Sequence, residues 1–475
     1  MKNNPTSNKW FALTIVLTAP LLYVIDIFII NMAIPGIQQG VHATNGEMQL
    51  VIAGYLLGSA ALLIIGGRAG DYLGKKKVFL WGMMLFTLSS CCCGLSQTAM
   101  QLNIMRFFQG VSSALMVPQS IAYIQVLFTD SKERAKAIGW YGATLSIAAI
   151  IGQILGGWLV DTHLIIAGWR LIFFINLPVG IAATWAITRF LPETDKTATG
   201  NFDYTGAGIL TTGLICLIYP LTKGRELGWP AWSIWLMLLS LFLFTYLCID
   251  QKKKKKQLKI PLLDISLFTV KEFNLGLLAV LFHFMMHTAY LLMIAVYLQD
   301  GLHLSALECG TYFLLHAVLF MITSMLAGRL IPRYGKRVLL AGIMIIFFSF
   351  LLQVKIYQPQ MQCWWPIALI GLYGLGNGMV LPSLLTIVLR SIPVKFAGTA
   401  SGVFSTFQQT ASALGICIIG GVFYHVIDIQ PHPDYLTAFK SGMAADIACL
   451  IMVAIILWLL PVPVSNDSRE AIAME

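Results

Sequence analysis

Asp26 and Arg106 each stand inside a long apolar run, where an ionised side chain is costly unless it pairs or does work. A buried acid whose charge alters ligand affinity, or the balance between two conformations, can couple proton movement to transport. The alternative for the two residues is a structural ion pair. At a helical rise of 1.5 Å per residue, Asp26 lies about 24 Å above the inner end of its run and Arg106 about 8 Å below the outer end of its own. In a hydrocarbon core of roughly 30 Å these depths agree within a few ångströms, so the two could pair or sense each other's charge.

His283 and His287 lie four apart on one helix face, and His316 on the following run reaches a similar depth. Imidazole titrates near neutral pH, so the trio is a second candidate proton site; the alternative is a set of neutral, hydrogen-bonded polar linings. No carboxylate or cysteine completes a metal-ligand set beside them, and the nine cysteines show neither metal spacing nor a disulfide framework. No metal or cofactor is expected. The chain has no Gly-x-x-x-x-Gly-Lys-Ser/Thr loop, which leaves an ion gradient rather than ATP as the energy source. It also lacks the clustered nucleophile and base of a membrane enzyme.

The elements that hold these residues are membrane helices. With 58% hydrophobic and 11% charged residues and a mean hydropathy of +0.79, the chain has too little charge to cover a soluble surface. Apolar runs of about 20 residues separated by short polar breaks predict an all-α membrane protein of about fourteen helices, not a β-barrel of short alternating segments. The net charge of +10 does not point to nucleic acid, because the basic residues fall on alternate loops. With the N-terminus inside, Arg106 lies within a helix, and only Arg170, Lys223, Arg225, Lys355 and Lys440 face outward. That pattern predicts a multi-pass protein with both termini in the cytoplasm. The run from Lys252 to Lys256 fits an orientation signal better than a lipid-binding patch. The first apolar run, roughly 10–33, is too long for a signal-peptide core and is expected to remain as the first helix.

Two turns organise the spans. The stretch Gly67 to Lys77 is short, charged and bounded by glycines, and Gly328 to Arg337 repeats it at constant offset, matching Gly67 with Gly328, Arg68 with Arg329, Gly74 with Gly335 and Lys75 with Lys336. Each follows the second helix of its set, the mark of two related six-helix halves. Asp71 has no acidic counterpart, since Pro332 occupies its place. The first turn reads as a cytoplasmic gate holding the halves together when the protein faces outward, with Asp71 accepting from helix N-termini or from Arg134; the alternative is a plain topology determinant.

These residues resemble the major facilitator superfamily, and specifically its fourteen-helix drug:proton antiporter branch, over essentially the whole chain. Gly67 to Lys77 looks like the family's loop between helices two and three, with Gly67, Asp71, Gly74 and Lys75. Leu102 to Ala114, with Arg106, Gln109 and Gly110, is similar to its helix-four motif. Asp26 to Pro35 resembles the helix-one motif of the branch, and Trp169 to Pro178 the start of helix six. In helix five, Gly152, Gly156 and Gly157 fit the antiporter motif, while Gln153 stands where the family carries proline and Ala148 where it carries another glycine.

The resemblance implies two six-helix bundles, 1–191 and 273–462, joined by a connector, 192–272, with two accessory helices and a basic loop, and followed by a cytoplasmic tail, 463–475. It implies a monomer in a bacterial plasma (inner) membrane that exports lipophilic drugs or toxic compounds, cations among them, against proton entry. Asp26, Arg106, His283, His287 and His316 are candidates for proton coupling or substrate binding, and Tyr23, Asn31, Tyr55 and Gln109 for the cavity wall. Export of one metabolite, such as a siderophore or an organic acid, is the competing transport reading. A membrane sensor or lipid-handling protein is the competing class, and the short stretch after Leu460 argues against a sensor's output domain.

Overall fold

In the computed structural model of the chain, residues 9–162, 166–194, 203–257, 259, 261–358, 364–390, 392, 397–430 and 432–460 are described. The proposed tail, 463–475, and most of the polar connector after Thr194 lie outside them. Among the described residues, fourteen helices are long and apolar enough to cross a membrane. They are α1 (Lys9–Gly40), α2 (Asn45–Leu73), α3 (Lys75–Leu95), α4 (Ala99–Leu127), α5 (Lys132–Val160), α6 (Gly168–Phe190) and α7 (Tyr204–Gly224). The series continues with α8 (Ala231–Lys256), α9 (Lys271–Gly301), α10 (Ala306–Ile331), α11 (Lys336–Ile356), α12 (Trp364–Arg390), α13 (Thr399–Asp428) and α14 (Tyr435–Leu459).

Helices are the form in which an apolar chain satisfies its backbone groups without water. That requirement shifts several boundaries away from the polar residues that suggest them. α1 continues through Pro35 to Gly40 instead of stopping near Ala33, because one proline removes a single backbone bond while the rest of the ladder persists. The charged stretch at Gly67 is mostly helix as well. α2 runs to Leu73, α3 starts at Lys75, and Gly74 alone makes the reversal. Its φ of +94° lies where a side chain is strained, and Gly335, at φ +54°, makes the equivalent break between α10 and α11. Likewise Asp130 is an N-cap rather than the start of a loop; its carboxylate accepts from the backbone N–H of Lys132 and Glu133.

Within the first bundle α2 packs on α4, α3 on α4 and α6, and α1 on α5; in the second, α10 packs on α12, α11 on α12, and α9 on α13 and α14. The bundles meet along α5 with α10 and α2 with α13. The accessory helices α7 and α8 pack together, and α7 leans on α2.

Asp203 ties the accessory pair to the connector that follows. Its carboxylate accepts from the Gly206 N–H (2.8 Å), the Leu262 N–H (3.1 Å), Gln251 Nε2 (2.8 Å) and Lys254 Nζ (2.7 Å). Burial raises the carboxyl pKa, but these donors outweigh burial and hold it well below the usual carboxylate range. A depressed folded pKa gives stability that is complete above about pH 4 and is lost as the pH falls toward the folded value. Asp203→Asn is therefore expected to flatten the acid limb of a thermal-stability profile in detergent; an acid limb identical to that of the parent would contradict the assignment.

Candidate functional site: a buried ion pair beside a histidine-lined cavity

The ends of the bundle differ. At the end away from the lysine-rich turns, here called the far end, polar contacts join the halves. Asp161, after α5, accepts from the backbone N–H of Leu307 (2.8 Å) and Ala306 (3.3 Å) at the start of α10, where the helix dipole favours an anion. Asn45 Nδ2 donates to Asp428 (2.6 Å), Arg225 approaches the same carboxylate at 3.5 Å, and Gln49 donates to the Ile416 carbonyl (2.7 Å). Deeper in, Gln409 of α13 donates to the Tyr23 hydroxyl of α1.

At the basic end the glycines of α5 and α10 lack the contacts made at the far end. Gly157 and Gly310 make close contacts across the halves, with Leu307 and Gln153, whereas Gly139, Gly142 and Gly328 face open space. Glycines spaced for helix contact are thus used at one end of α5 only. Gly152 and Gly156 face α1, and Gly157 faces α10, so the motif glycines serve two interfaces.

The structure brings Asp26 and Arg106 together. Arg106 Nη1 donates to Asp26 Oδ2 at 2.6 Å, and both residues are 1% exposed. Gln109 completes the cluster: Nε2 donates to Asp26 Oδ1 (2.7 Å) and Oε1 accepts from Arg106 (2.8 Å). Arg106 Nε donates to the Val51 carbonyl (3.1 Å), and the guanidinium lies 4.4 Å from the Tyr55 ring centroid. Buried charge is tolerable only when satisfied this fully. Gln109, Tyr55 and Asn31 are all buried. Tyr23, half-buried and stacked with Tyr55 at 6.1 Å, bridges the two halves through Gln409.

The histidines gather on the other side of the interface. The His283 and His287 rings lie parallel, 6.2 Å apart. His283 Nε2 is 3.1 Å from Asn377 Oδ1, and His287 Nδ1 is 2.5 Å from the Tyr373 hydroxyl. His316 stacks on Tyr373 at 5.6 Å, yet neither of its ring nitrogens has a partner. His287, His316 and Asn377, together with Phe28, Gln153 and Phe320, line a central cavity of about 40 Å³ between the bundles.

The first turn is tied to the connector. Lys75 Nζ reaches Asp71 at 3.1 Å, and the Lys75 N–H donates to Thr194 (2.8 Å) beside Gly74. Arg68 donates to the Pro261 carbonyl (2.6 Å), Gly67 rests on Pro118, and Arg134 lies half-buried in the first turn of α5.

Two residues escape the sequence reading. Tyr373 and Asn377 join the histidines from α12, a contact that spacing along a single helix cannot reveal. Asp446 lies well inside α14, which begins at Tyr435. It is fully buried, and both of its carboxyl oxygens lack a partner.

Two six-helix bundles of membrane-spanning helices with a small cavity between them define a membrane transporter. The chain belongs to the Major Facilitator Superfamily, whose family profile matches residues 16–416. It is 31% identical over 430 residues to a probable actinorhodin transporter of Streptomyces coelicolor, covering 90% of this chain and 74% of that one. It is 28% identical over 462 residues to a multidrug transporter of Bacillus subtilis (95% and 83% covered) and 28% over 489 residues to a puromycin resistance protein of Streptomyces alboniger (99% and 94%). The inward-open xylose transporter of E. coli superposes with a TM-score of 0.66 at 13% identity, covering 96% of this chain and 97% of that one, which is a likeness of fold.

Proposed function

We propose that this protein is a proton-coupled exporter of lipophilic drugs or toxic compounds, working by alternating access. The observation that carries the reading is the asymmetry of the bundle: cross-half polar contacts at the far end, and open space beside Gly139, Gly142 and Gly328 at the basic end. By the positive-inside rule the basic end and both termini face the cytoplasm, so this conformation is inward-open. The names of the relatives, a multidrug transporter and resistance proteins among them, support export over uptake. Export of a single metabolite is the second reading, favoured by the relative named as a probable actinorhodin transporter.

In this account the protein acts as a monomer in a bacterial plasma membrane, is not an enzyme, and needs no metal, cofactor or nucleic acid. Asp26 carries the coupling proton. Its neutralisation releases Arg106 from the ion pair, and the reorganised cluster on α1, α2 and α4 biases the rocking of the first bundle against the second. His283, His287 and His316 serve the substrate and proton path in the second bundle, and Asp446 is a further acid available there. The turn with Gly67, Asp71, Gly74, Lys75 and Arg134 closes the cytoplasmic side in the outward-facing state.

Everted vesicles energised to an acid interior test the coupling. Adding an exported compound should discharge the pH gradient in the wild type and not with Asp26→Asn. Equal discharge by both would remove Asp26 from the coupling step, and movement of one metabolite with no discharge at all would favour the second reading without protons.

A further inference from the structure

The turn between the accessory helices α7 and α8 touches both halves. The last turn of α7, Pro220–Gly224, packs on α2 and on α13. The charged residues around it divide between the two. Lys223 Nζ reaches Glu47 of α2 at 3.3 Å and Glu226 at 2.8 Å. A Cβ on Gly46 would lie 2.8 Å from Glu226 Oε2, so the turn is seated on the start of α2. Its course is fixed: Gly228 and Trp229 stand at φ +71° and +58°, and the Trp229 N–H closes on the Gly224 carbonyl at 2.6 Å.

Arg225 points the other way. Nη1 lies 3.5 Å from Asp428 Oδ2 at the end of α13, and Nη2 donates to Gln49 Oε1 at 3.3 Å. Gln49 Nε2 in turn donates to the Ile416 carbonyl of α13, so Arg225 orients an amide that spans the halves. Two glycines of α13 make room for these side chains. A Cβ on Gly421 would lie 3.3 Å from Arg225 Cδ, and one on Gly420 would lie 3.2 Å from Gln49 Nε2. The Arg225 and Asp428 side chains are 13% and 41% exposed. An ion pair partly open to water is weak, which suits a contact made and broken in each transport cycle. One buried as deeply as Asp26 and Arg106 would be costly to part.

We propose that the accessory hairpin is a clasp on the far end. It rides on the first bundle through α7, Lys223 and Glu226 and holds the second through Arg225 on Asp428, so the far end opens only as that pair parts. This rests on the alternating-access reading above, and the test separates the two.

Spin labels at Met100 and Thr311, both exposed near the far-end starts of α4 and α10, report opening by double electron–electron resonance on the full chain in nanodiscs, in a cysteine-less background. Arg225→Glu should raise the ratio of open to closed far ends by about 3- to 10-fold. Arg225→Gln, which loses the charge but keeps a donor, should raise it less. Exchanging the charges, Arg225→Glu with Asp428→Arg, should bring the ratio back to within about twofold of the parent. A far end as closed in Arg225→Glu as in the parent would overturn the clasp. Opening that the exchanged pair fails to reverse would overturn it too, because the seat of the turn rather than the ion pair would then be at fault. Discharge of the pH gradient by an exported compound in everted vesicles reads export independently. Charge-dependent closure without that discharge would support the clasp and count against proton-coupled export; normal discharge with an unaffected far end would do the reverse.

Discussion

Arg106→Met is expected to destabilise the protein more than the double replacement Arg106→Met with Asp26→Ala. The single change strands the Asp26 carboxylate at a site 1% exposed, with Gln109 as its remaining side-chain donor, and also takes one donor each from the Val51 carbonyl and Gln109 Oε1. Removing one partner of a buried ion pair costs about 3–5 kcal/mol, whereas exchanging the whole pair for apolar groups is often neutral. Here Gln109 survives the double change without its ion-pair partners, so a residual cost of about 1–3 kcal/mol is expected for its amide. Thermal unfolding in detergent micelles, arranged as a double-mutant cycle, measures the difference. A double variant whose loss equals the sum of the single losses would mean that the two side chains do not act as a unit.

The second large effect concerns one glycine. A Cβ on Gly157 would lie 2.7 Å from the Leu307 Cα and 2.8 Å from the Ala306 carbonyl carbon, backbone atoms of the opposite half. Gly156→Val presses instead on the Ile29 carbonyl at 2.9 Å and the Met32 Cβ at 3.1 Å, both within the first bundle. Overpacking of this kind costs about 1–3 kcal/mol. At Gly157 the penalty falls only on the conformation with the far end shut, so Gly157→Val should shift the equilibrium toward far-end opening by roughly 5- to 150-fold. At Gly156 it falls on both conformations and should lower thermal stability instead. Labelling of Asn45→Cys by a membrane-impermeant thiol reagent, in a cysteine-less background, reads the far end. Equal labelling rates in the Gly157→Val and parent proteins would show that this contact does not control closure.

Much of this was legible before any coordinates. Apolar length is sufficient to count spans, and the repeated glycine-bounded turn is sufficient to pair the halves, since Gly74 and Gly335 both make helix breaks at positive φ. The equal depth of Asp26 and Arg106 follows from helical rise alone. What the sequence hides depends on rotation and partner choice. Gly156 and Gly157 are adjacent in sequence yet face different helices, and Gly139 and Gly142 share the spacing of contact glycines while facing open space. Spacing alone does not show that Gln109 donates its amide to Asp26 across two helices. Asp446 lies well inside α14, which starts within a polar stretch where Asp434 caps the helix through the Thr437 N–H.

The central claim is that the two ends open and close in opposition, under the control of Asp26. The most direct test uses spin-label pairs in lipid nanodiscs: one across the basic end at Ile138 and Met325, which are 54% and 67% exposed, and one across the far end at His42 and Ile429. Double electron–electron resonance gives both distance distributions as the pH is varied. The account predicts that shortening at the basic end always accompanies lengthening at the far end, and that Asp26→Asn abolishes the pH response. Distances that change together, or a pH response that survives Asp26→Asn, would contradict it.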